Sequence, residues 1–312
     1  MVIIWLVLGL ALLVAGGEGL VRGAVGLARR LGLSPLLVGL TVVGFGTSTP
    51  ELVTSLQAAL AGSPGIALGN VVGSNIANAL LILGLAALLR PFSVEPAGFR
   101  RDGPALVLAT LVVIVALLTG GIGRPVGAVL LFGLAAYLGV AYRLERRSAR
   151  ESAELPTYAS GNLAREVALC AGGIALTVVG ARLLVGAAVD LARDLGVSET
   201  LIGLTLVAVG TSLPELVTSV VAAARRQGAV AFGNVVGSNI YNLLGILGIT
   251  AMVRPVPVPP GLGLDDLVAL VVATAALCAV AVTGWRVTRL EGAGLALAYA
   301  AYLGWLAVEA SW

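Results

Sequence analysis

The sequence predicts an all-α membrane protein with ten transmembrane helices, built as two inverted five-helix repeats. Three observations lead to this prediction. Of the 312 residues, 59% are hydrophobic and only 11% are charged, with a mean hydropathy of +1.04, whereas a soluble domain carries roughly 25% charged residues. The apolar residues form runs of about 20, the length that crosses a bilayer as a helix. Finally, part of the first half recurs in the second at a constant offset of 164 residues (215 minus 51).

Ten apolar runs are separated by short Gly/Pro joints or by charged loops, and each run predicts one span. The predicted spans are 3–28, 35–60, 66–89, 104–120, 124–142, 167–192, 199–224, 230–252, 265–284 and 290–309. The first is interpreted as a retained helix, because no charged segment precedes it and no cleavage site of the A-x-A type is present. The expected units are a first repeat at 1–142, a linker at 143–166 and a second, inverted repeat at 167–312.

The basic residues predict the orientation of the bundle. All 19 are arginine. With the N-terminus outside, fourteen arginines fall in cytoplasmic loops and three in outer loops, which is the asymmetry expected from the positive-inside rule. The prediction is a multi-pass protein of the plasma (cell inner) membrane, with both termini outside and the 143–166 linker in the cytoplasm.

The repeat centres on one motif that the chain carries twice. The first copy is GLTVVGFGTSTPELVTS at Gly39–Ser55, and the second is GLTLVAVGTSLPELVTS at Gly203–Ser219. Without a gap, Leu20–Gly84 aligns with Leu184–Gly248. Five spans separate equivalent points, so the copies lie in opposite orientations, as in secondary transporters that bind substrate where inverted repeats meet. The alternative is an old duplication that no longer shares a site.

Each copy contains one carboxylate in an apolar span, Glu51 or Glu215, directly after a proline. An ionisable residue within the membrane is a functional-site hypothesis by default. Hydroxyls precede each glutamate at helical spacing, and the proline removes a backbone donor and frees carbonyls. These hydroxyls belong to Thr47, Ser48, Thr211 and Ser212. Such a set of oxygens suits hard cations such as Ca²⁺ and Na⁺, although the prolines could serve only as packing kinks and the hydroxyls only as interhelical hydrogen-bond partners.

The third and eighth spans add a hydroxyl and an amide at i, i+4 spacing: Ser74 with Asn78, and Ser238 with Asn242. Four further asparagines are expected to form hydrogen bonds between helices instead; they are Asn70, Asn75, Asn234 and Asn239. The Gly69-x-x-x-Gly73 and Gly233-x-x-x-Gly237 spacings permit close helix contact.

Other residues limit the possible chemistry. The chain has no histidine, which excludes a histidine proton relay or metal site, and its two cysteines are expected to be small apolar residues within spans. Glu18 and its repeat equivalent Arg182 could form a buried or snorkelling pair or mark span ends, with a structural role favoured.

The two repeated glutamates, Glu51 and Glu215, give a site of charge −2, which one Ca²⁺, two Na⁺ or two protons would neutralise. Competition between these ions for the same carboxylates is a physical route to antiport.

The motifs GTSTPEL and GTSLPEL, each followed by GNVVGSNIxN, resemble the alpha repeats of the sodium/calcium exchangers in the calcium/cation antiporter superfamily. The resemblance implies five plus five inverted helices, alternating access in which the first and sixth spans slide, and four central ion-binding positions. By motif position these are Glu51, Asn78, Glu215 and Asn242. It also implies flanking ligands at Gly44 (backbone), Thr47, Ser48, Ser74, Ala208 (backbone), Thr211, Ser212 and Ser238.

One position departs from the family pattern. Sodium/calcium exchangers typically carry aspartate at the position of Asn242, and an amide accepts neither a proton nor a formal charge. The expected function is therefore Ca²⁺ exchange for Na⁺, with Ca²⁺/H⁺ antiport through the same two glutamates as the alternative. A cation channel or an intramembrane enzyme is less consistent with an inverted repeat that lacks a nucleophile–base pair. No catalytic activity, cofactor or nucleic-acid partner is expected; the bilayer and the ions are the partners, and a monomer is expected to function.

Overall fold

The computed structural model describes residues 2–151, 162–195, 208–259 and 262–309. Its helices are α1 (Val2–Leu31), α2a (Pro35–Thr47), α2b (Thr49–Leu60), α3 (Pro64–Leu89), α4 (Pro96–Leu118), α5 (Arg124–Glu151), α6 (Leu163–Asp194), α7a (Ala208–Thr211), α7b (Leu213–Ala224), α8 (Gly228–Val253), α9 (Leu264–Val282) and α10 (Arg289–Glu309). Four two-residue strands connect loops: β1 (Phe92–Ser93), β2 (Gly121–Ile122), β3 (Val256–Pro257) and β4 (Arg286–Val287).

The described residues confirm an all-helical membrane protein. Eight of their helices are long and apolar enough to cross a membrane, and α2a with α2b makes a ninth if the bent pair counts as one span. The predicted span 199–224 is described only from Ala208 onward, so the tenth span remains a prediction. Helices α5 and α6 extend into the predicted linker from both sides.

The core of the bundle is formed by α3 and α8. In their most apolar segments 78% and 83% of the residues are buried, whereas the other long helices range from 17% to 44%. These two helices carry the asparagines and serines of the repeated motif. Since their surroundings are protein rather than lipid, polar side chains can be kept there at membrane depth.

Helices α1 and α6 cross in a close antiparallel contact. A Cβ added at Gly16 would lie 2.7 Å from the Thr177 nitrogen, and one added at Gly173 would lie 2.6 Å from the Leu20 nitrogen. Gly9 and Gly180 form the equivalent contact one heptad away. Small residues let two backbones approach in this way, so α1 and α6 pack as one unit.

Two antiparallel strand pairs link loops at the ends of the bundle. In β1–β4, Phe92 pairs with Val287, and in β2–β3, Gly121 pairs with Pro257. With the offset of 164, Phe92 of the first ribbon corresponds to Val256 of the second. The two ribbons are therefore repeat-related corners, and the predicted inverted repeat puts them at opposite faces.

The prediction for the fourth span was wrong at its start, because α4 begins at Pro96 rather than at 104. The charged residues before 104 are helical because they are paired. Asp102 is 1% exposed and accepts hydrogen bonds from Arg101 Nε (2.6 Å) and the Tyr137 hydroxyl (2.8 Å). Glu145 joins this cluster through Arg101 Nη1 at 3.4 Å and also accepts a hydrogen bond from the Ser34 backbone nitrogen at 2.7 Å.

Candidate cation-binding site

Both repeated glutamates lie in the first turn of a half-helix. Glu51 is in the first turn of α2b and Glu215 in that of α7b, and both side chains are 0% exposed. The N-terminus of a helix carries partial positive charge, which stabilises a nearby carboxylate. The position of each glutamate at the N-terminus of its own half-helix thus helps to stabilise two carboxyls in the interior.

The half-helices arise because each span breaks just before the proline. Ser48 has φ −80° and ψ 11°, and Ser212 has φ −88° and ψ 7°. The axes of α2a and α2b differ by 44°. Pro50 and Pro214 occupy the first turn after the break, where a missing N–H costs no helical hydrogen bond. The predicted broken helices are confirmed at both positions.

The hydroxyls before the glutamates reach across to the other repeat. Ser48 Oγ donates to Glu215 Oε1 at 2.8 Å, and Ser212 Oγ donates to Glu51 Oε1 at 3.2 Å. Sequence spacing suggested that each hydroxyl shares a helix face with its own glutamate. The break at the serine turns it instead toward the partner repeat.

Two asparagines cross-link the same region. Asn234 Nδ2 donates to the Glu215 carbonyl (3.2 Å) and to Ser219 Oγ (2.8 Å), while Thr47 Oγ1 lies 3.2 Å from Asn234 Oδ1. The first repeat has the equivalent arrangement. There Asn70 Nδ2 lies 3.1 Å from the Glu51 carbonyl and 2.9 Å from Ser55 Oγ, and Thr211 Oγ1 lies 3.4 Å from Asn70 Oδ1. The prediction of interhelical hydrogen bonds is confirmed for both asparagines.

Sequence reasoning missed the serines in these clusters. Ser55 and Ser219 are both 0% exposed. Ser55 accepts a hydrogen bond from the side-chain amide of Asn70, and Ser219 from that of Asn234. The same amides donate to the backbone carbonyls of Glu51 and Glu215. Their signal was present, because both copies of the motif end in Thr-Ser.

Asn78 and Asn242 lie where α3 and α8 widen into π-helical turns. These turns span Asn78–Ile82 and Tyr241–Ile246. Short π segments inside α-helices are frequent at functional sites, since they shift a side chain out of the regular helical register. Both asparagines are 0% exposed, and neither amide has a hydrogen-bond partner at its oxygen or its nitrogen.

The remaining predicted ligands lie around this centre with one asymmetry. Ser238 Oγ donates to the Gly44 carbonyl at 3.2 Å, whereas its repeat equivalent Ser74 lies 3.2 Å from Ser212 Oγ. Ala208 begins α7a, directly after the part of the chain that the structure leaves undescribed. The Ala208 carbonyl as a ligand therefore stays a prediction.

The four central positions that the resemblance implied are fully buried, and each keeps an oxygen without a hydrogen-bond partner: Glu51 (Oε2), Asn78 (Oδ1), Glu215 (Oε2) and Asn242 (Oδ1). The same holds for four other buried residues, Asn75, Thr218, Asn239 and Thr250. Buried polar atoms are nearly always satisfied, so a cluster of exceptions requires an explanation such as a bound ion. Carboxylate and amide oxygens are what Ca²⁺ and Na⁺ prefer. These four oxygens could therefore serve as ligands of a hard cation.

The predicted helix contacts of the remaining glycines and asparagines are confirmed only in part. The Gly233/Gly237 pair packs against the backbone of α2a at Leu36 and Leu40, but nothing described lies within 4 Å of a Cβ on Gly69 or Gly73. Asn239 Nδ2 donates to the Asn75 carbonyl at 3.3 Å, which links α8 to α3 as expected. The prediction was wrong for the Asn75 side chain, because its amide donates to the Val71 carbonyl of its own helix at 2.7 Å.

The suggested Glu18–Arg182 pair was wrong. Glu18 pairs with Arg22 (2.5 Å) and with Arg225 (2.7 Å), because α1 carries it to the C-terminal end of α7b. Arg182 instead lines a cavity of about 510 Å³ together with Pro50, Gln57 and Thr211.

The cavity makes the two repeats unequal. Thr54 lines it, whereas its repeat equivalent Thr218 is 0% exposed. On the Thr218 side, a Cβ on Gly17 would already touch Val217 at 3.4 Å. The neighbourhood of the glutamates is therefore open along one side of the bundle and packed along the other.

Comparison with known proteins agrees with this architecture. A family model described as sodium/calcium exchanger protein matches residues 1–143 and 166–308. Inner membrane protein YrbG of Escherichia coli (strain K12) is 38% identical over 318 residues, which cover 97% of this chain and 95% of that protein. Sodium/calcium exchanger MaX1 of Methanosarcina acetivorans is 34% identical over 337 residues, with 96% of each covered. The structure of the sodium-calcium exchanger NCX_Mj, soaked with 2.5 mM Na⁺ and 0.1 mM Ca²⁺, superposes with a TM-score of 0.84 at 30% identity and covers 97% of both chains.

Proposed function

We propose, because the chain belongs to the sodium/calcium exchanger protein family, that it is a secondary antiporter which exchanges Ca²⁺ for Na⁺ by alternating access. The observation that carries the proposal is the group of four buried side chains with unpartnered oxygens at the centre of the bundle. Membership of this family makes the chain a membrane transporter of cations. The proposal needs no cofactor, since the ions themselves are the substrates.

In this proposal Ca²⁺ is held by the carboxylates of Glu51 and Glu215 and by the amide oxygens of Asn78 and Asn242. The flanking oxygens complete the six to eight ligands that Ca²⁺ takes. They come from Thr47, Ser48, Ser74, Thr211, Ser212 and Ser238 and from the carbonyls of Gly44 and Ala208. The same oxygens suit Na⁺, so the two ions compete for one set of ligands.

Charge explains why such a site exchanges ions rather than conducting them. With both carboxyls ionised and no ion bound, the site has a charge of −2 in a medium where an uncompensated charge costs several kcal/mol. One Ca²⁺ or two Na⁺ remove that cost. The ion-loaded protein can therefore change between the outward-open and inward-open conformations, whereas the empty, ionised protein cannot do so readily. Transport of one ion in one direction is thereby coupled to transport of the other ion in the opposite direction.

The coupling ion is proposed to be Na⁺. Asn242 contributes an amide rather than a third carboxylate, so the site neutralises with two monovalent cations instead of three. The same residue keeps Ca²⁺/H⁺ antiport as a second candidate, because two glutamates can carry two protons.

The access path is proposed to be the cavity lined by Pro50 and Thr211, which adjoins the two helix breaks. The arginine distribution predicts that the side of the bundle with this cavity faces outward. In the same orientation both chain termini lie outside and the 143–166 linker lies in the cytoplasm, with the protein in the inner membrane of the cell. A single chain contains both repeats, so we propose that a monomer transports.

The test uses purified protein in sealed vesicles loaded with Na⁺. Uptake of radioactive Ca²⁺ is followed on dilution into Na⁺-free buffer with a protonophore present, and then with a pH gradient alone. Uptake that requires the Na⁺ gradient supports Na⁺/Ca²⁺ exchange. Uptake driven only by the pH gradient assigns Ca²⁺/H⁺ antiport, and flux without any counter-ion gradient contradicts both.

A further inference from the structure

A second polar cavity, away from the glutamates, is lined by three arginines. It has a volume of about 360 Å³ and lies where the loop after α3, the α7b–α8 turn and the α9–α10 loop meet. Arg90, Arg226 and Arg286 line it together with Phe92 and Ser93, and no carboxylate is among its lining residues. Three cationic groups around one small cavity make an anion site.

The residues that the structure describes do not neutralise the three arginines. None of them forms an ion pair with any residue that the structure describes. The nearby carboxylate of Glu18 is already used, because it binds Arg22 and Arg225. Their positive charge is therefore available to a ligand.

The inverted repeat provides an internal comparison. At the equivalent corner on the opposite face, the positions of Arg90, Arg226 and Arg286 are held by Arg254, Gly62 and Ile122. There Arg254 Nη1 donates to the Leu60 carbonyl at 2.7 Å and closes the end of α2b. The repeat-related corner thus forms with a single arginine, Arg254, whose side chain is hydrogen-bonded to the protein backbone. Three arginines are not required for the fold.

Arg226 also occupies an unfavourable backbone conformation. Its φ is +61°, in the left-handed region, while the equivalent Gly62 has φ +80°. Glycine is the residue that adopts this conformation without steric cost. An arginine at this position carries the steric cost of the left-handed conformation, which points to a function for its side chain.

The surroundings of the cavity are suited to a lipid. Leu89, directly before Arg90, is 50% exposed, and Leu290 is 86% exposed. These two segments are adjacent, since Arg289 Nε donates to the Leu88 carbonyl at 3.2 Å. Apolar side chains that face outward next to a cationic cavity match an acyl chain next to a phosphate.

We propose that the cavity between Arg90, Arg226 and Arg286 binds the phosphate group of an anionic phospholipid from the leaflet on this face. Arginine binds phosphate oxygens through several parallel N–H groups, and basic pockets between membrane helices on the cytoplasmic side bind anionic headgroups. The site lies away from the proposed ion ligands. It would fix the ends of α3 and α7b, which carry or adjoin the ion-binding motifs.

The experiment measures retention of phosphatidylglycerol by the full-length protein, in mixed micelles with phosphatidylcholine, by native mass spectrometry. Each Arg→Gln substitution in the cavity is expected to weaken retention about fivefold, because one arginine near an anionic surface contributes about 1 kcal/mol. The triple variant R90Q/R226Q/R286Q is expected to retain no more phosphatidylglycerol than phosphatidylcholine. The single variant R226Q is measured as well, so that a triple variant which fails to fold still leaves a readout.

The matched control R29Q/R143Q/R165Q removes the same charge from exposed positions outside the cavity. It is expected to retain phosphatidylglycerol as the unmodified protein does. Equal loss in the control and in the cavity variants would overturn the proposal, because general surface charge would then explain binding. Inorganic phosphate is tested as a second probe, by its effect on the thermal unfolding midpoint in phosphatidylcholine alone. A shift that the cavity variants abolish would support the phosphate site and assign it to a soluble anion. If the cavity variants change the effect of neither phosphatidylglycerol nor inorganic phosphate, the proposal is overturned.

Discussion

Ser48 donates a hydrogen bond to Glu215, and its repeat equivalent Ser212 donates one to Glu51. Each buried carboxyl is therefore held by a hydroxyl of the opposite repeat. In the proposed mechanism, a cation that binds at either carboxyl would replace or rearrange a contact between the two repeats. These contacts would then link ion occupancy to the relative position of the repeats, as coupled exchange requires.

The first prediction concerns the carboxylates. E51Q and E215Q each remove one charge while keeping the side-chain shape, and we expect Na⁺-dependent Ca²⁺ uptake to fall at least about 30-fold, since the loss of one partner from a buried charged contact costs about 2–5 kcal/mol or more. Uptake is measured in Na⁺-loaded vesicles. E291Q is the control, because among the described residues Glu291 binds only Thr288, at the exposed start of α10. Robust exchange in both glutamate variants would contradict the assignment of the site.

The repeated motif predicted which residues form the candidate site, but not how those residues are hydrogen-bonded to each other. An isolated Glu51 in an apolar run is visible in the sequence because a charge there is costly. The direction of the Ser48 bond depends on the helix break and on the position of the other repeat, which no local pattern contains. The π-helical turn at Asn78 has the same origin, since tertiary packing sets the helical register there. The start of α4 was missed because partners distant in sequence, such as Tyr137, stabilise Asp102.

A second prediction concerns Asn242. N242D introduces a third carboxylate into the proposed site, so neutralisation needs one more monovalent cation. We expect a higher Hill coefficient for Na⁺, or a new inhibition of Ca²⁺ uptake at low pH where the added carboxyl is protonated. N242Q, which keeps the amide, serves as the comparison. Identical Na⁺ and pH profiles in N242D and the unmodified protein would show that this position does not set the coupling.

The third prediction concerns Asn234, which donates hydrogen bonds to Ser219 and to the Glu215 carbonyl within its own repeat and contacts Thr47 of the other repeat. N234A leaves buried polar groups without partners, and we expect about 1–3 kcal/mol lower stability. The thermal unfolding midpoint in detergent tests this. R143A is the control, because Arg143 is exposed on helix α5. A midpoint equal to that of the control would mean that the network around Asn234 is energetically unimportant.

A fourth prediction follows from the ion pair between Glu18 and Arg225, which joins α1 to the end of α7b on the packed side. The repeat equivalent of Arg225 is Ala61, so the other side has no such pair. E18Q is expected to favour opening of the packed side by up to about fivefold, the range of a partly exposed pair.

Labelling of the buried position 218 reports this opening. In a cysteine-free background, T218C is expected to react with a membrane-impermeant thiol reagent up to about fivefold faster when E18Q is present. R29Q provides the control for a general change in surface charge. A labelling rate that E18Q leaves unchanged would show that the pair does not hold this side closed.

The fifth prediction tests the contact between α1 and α6 with two adjacent glycines. A Cβ at Gly173 would lie 2.6 Å from the Leu20 nitrogen, whereas nothing described lies within 4 Å of a Cβ at Gly172. G173A must push two backbones apart, at about 1–3 kcal/mol for overpacking, so we expect a lower unfolding midpoint and slower Ca²⁺ exchange. G172A adds the same methyl group to the same helix and is expected to leave both unchanged. If the two variants behave alike, helix propensity rather than backbone contact determines the effect, and α1 and α6 need not move as one unit.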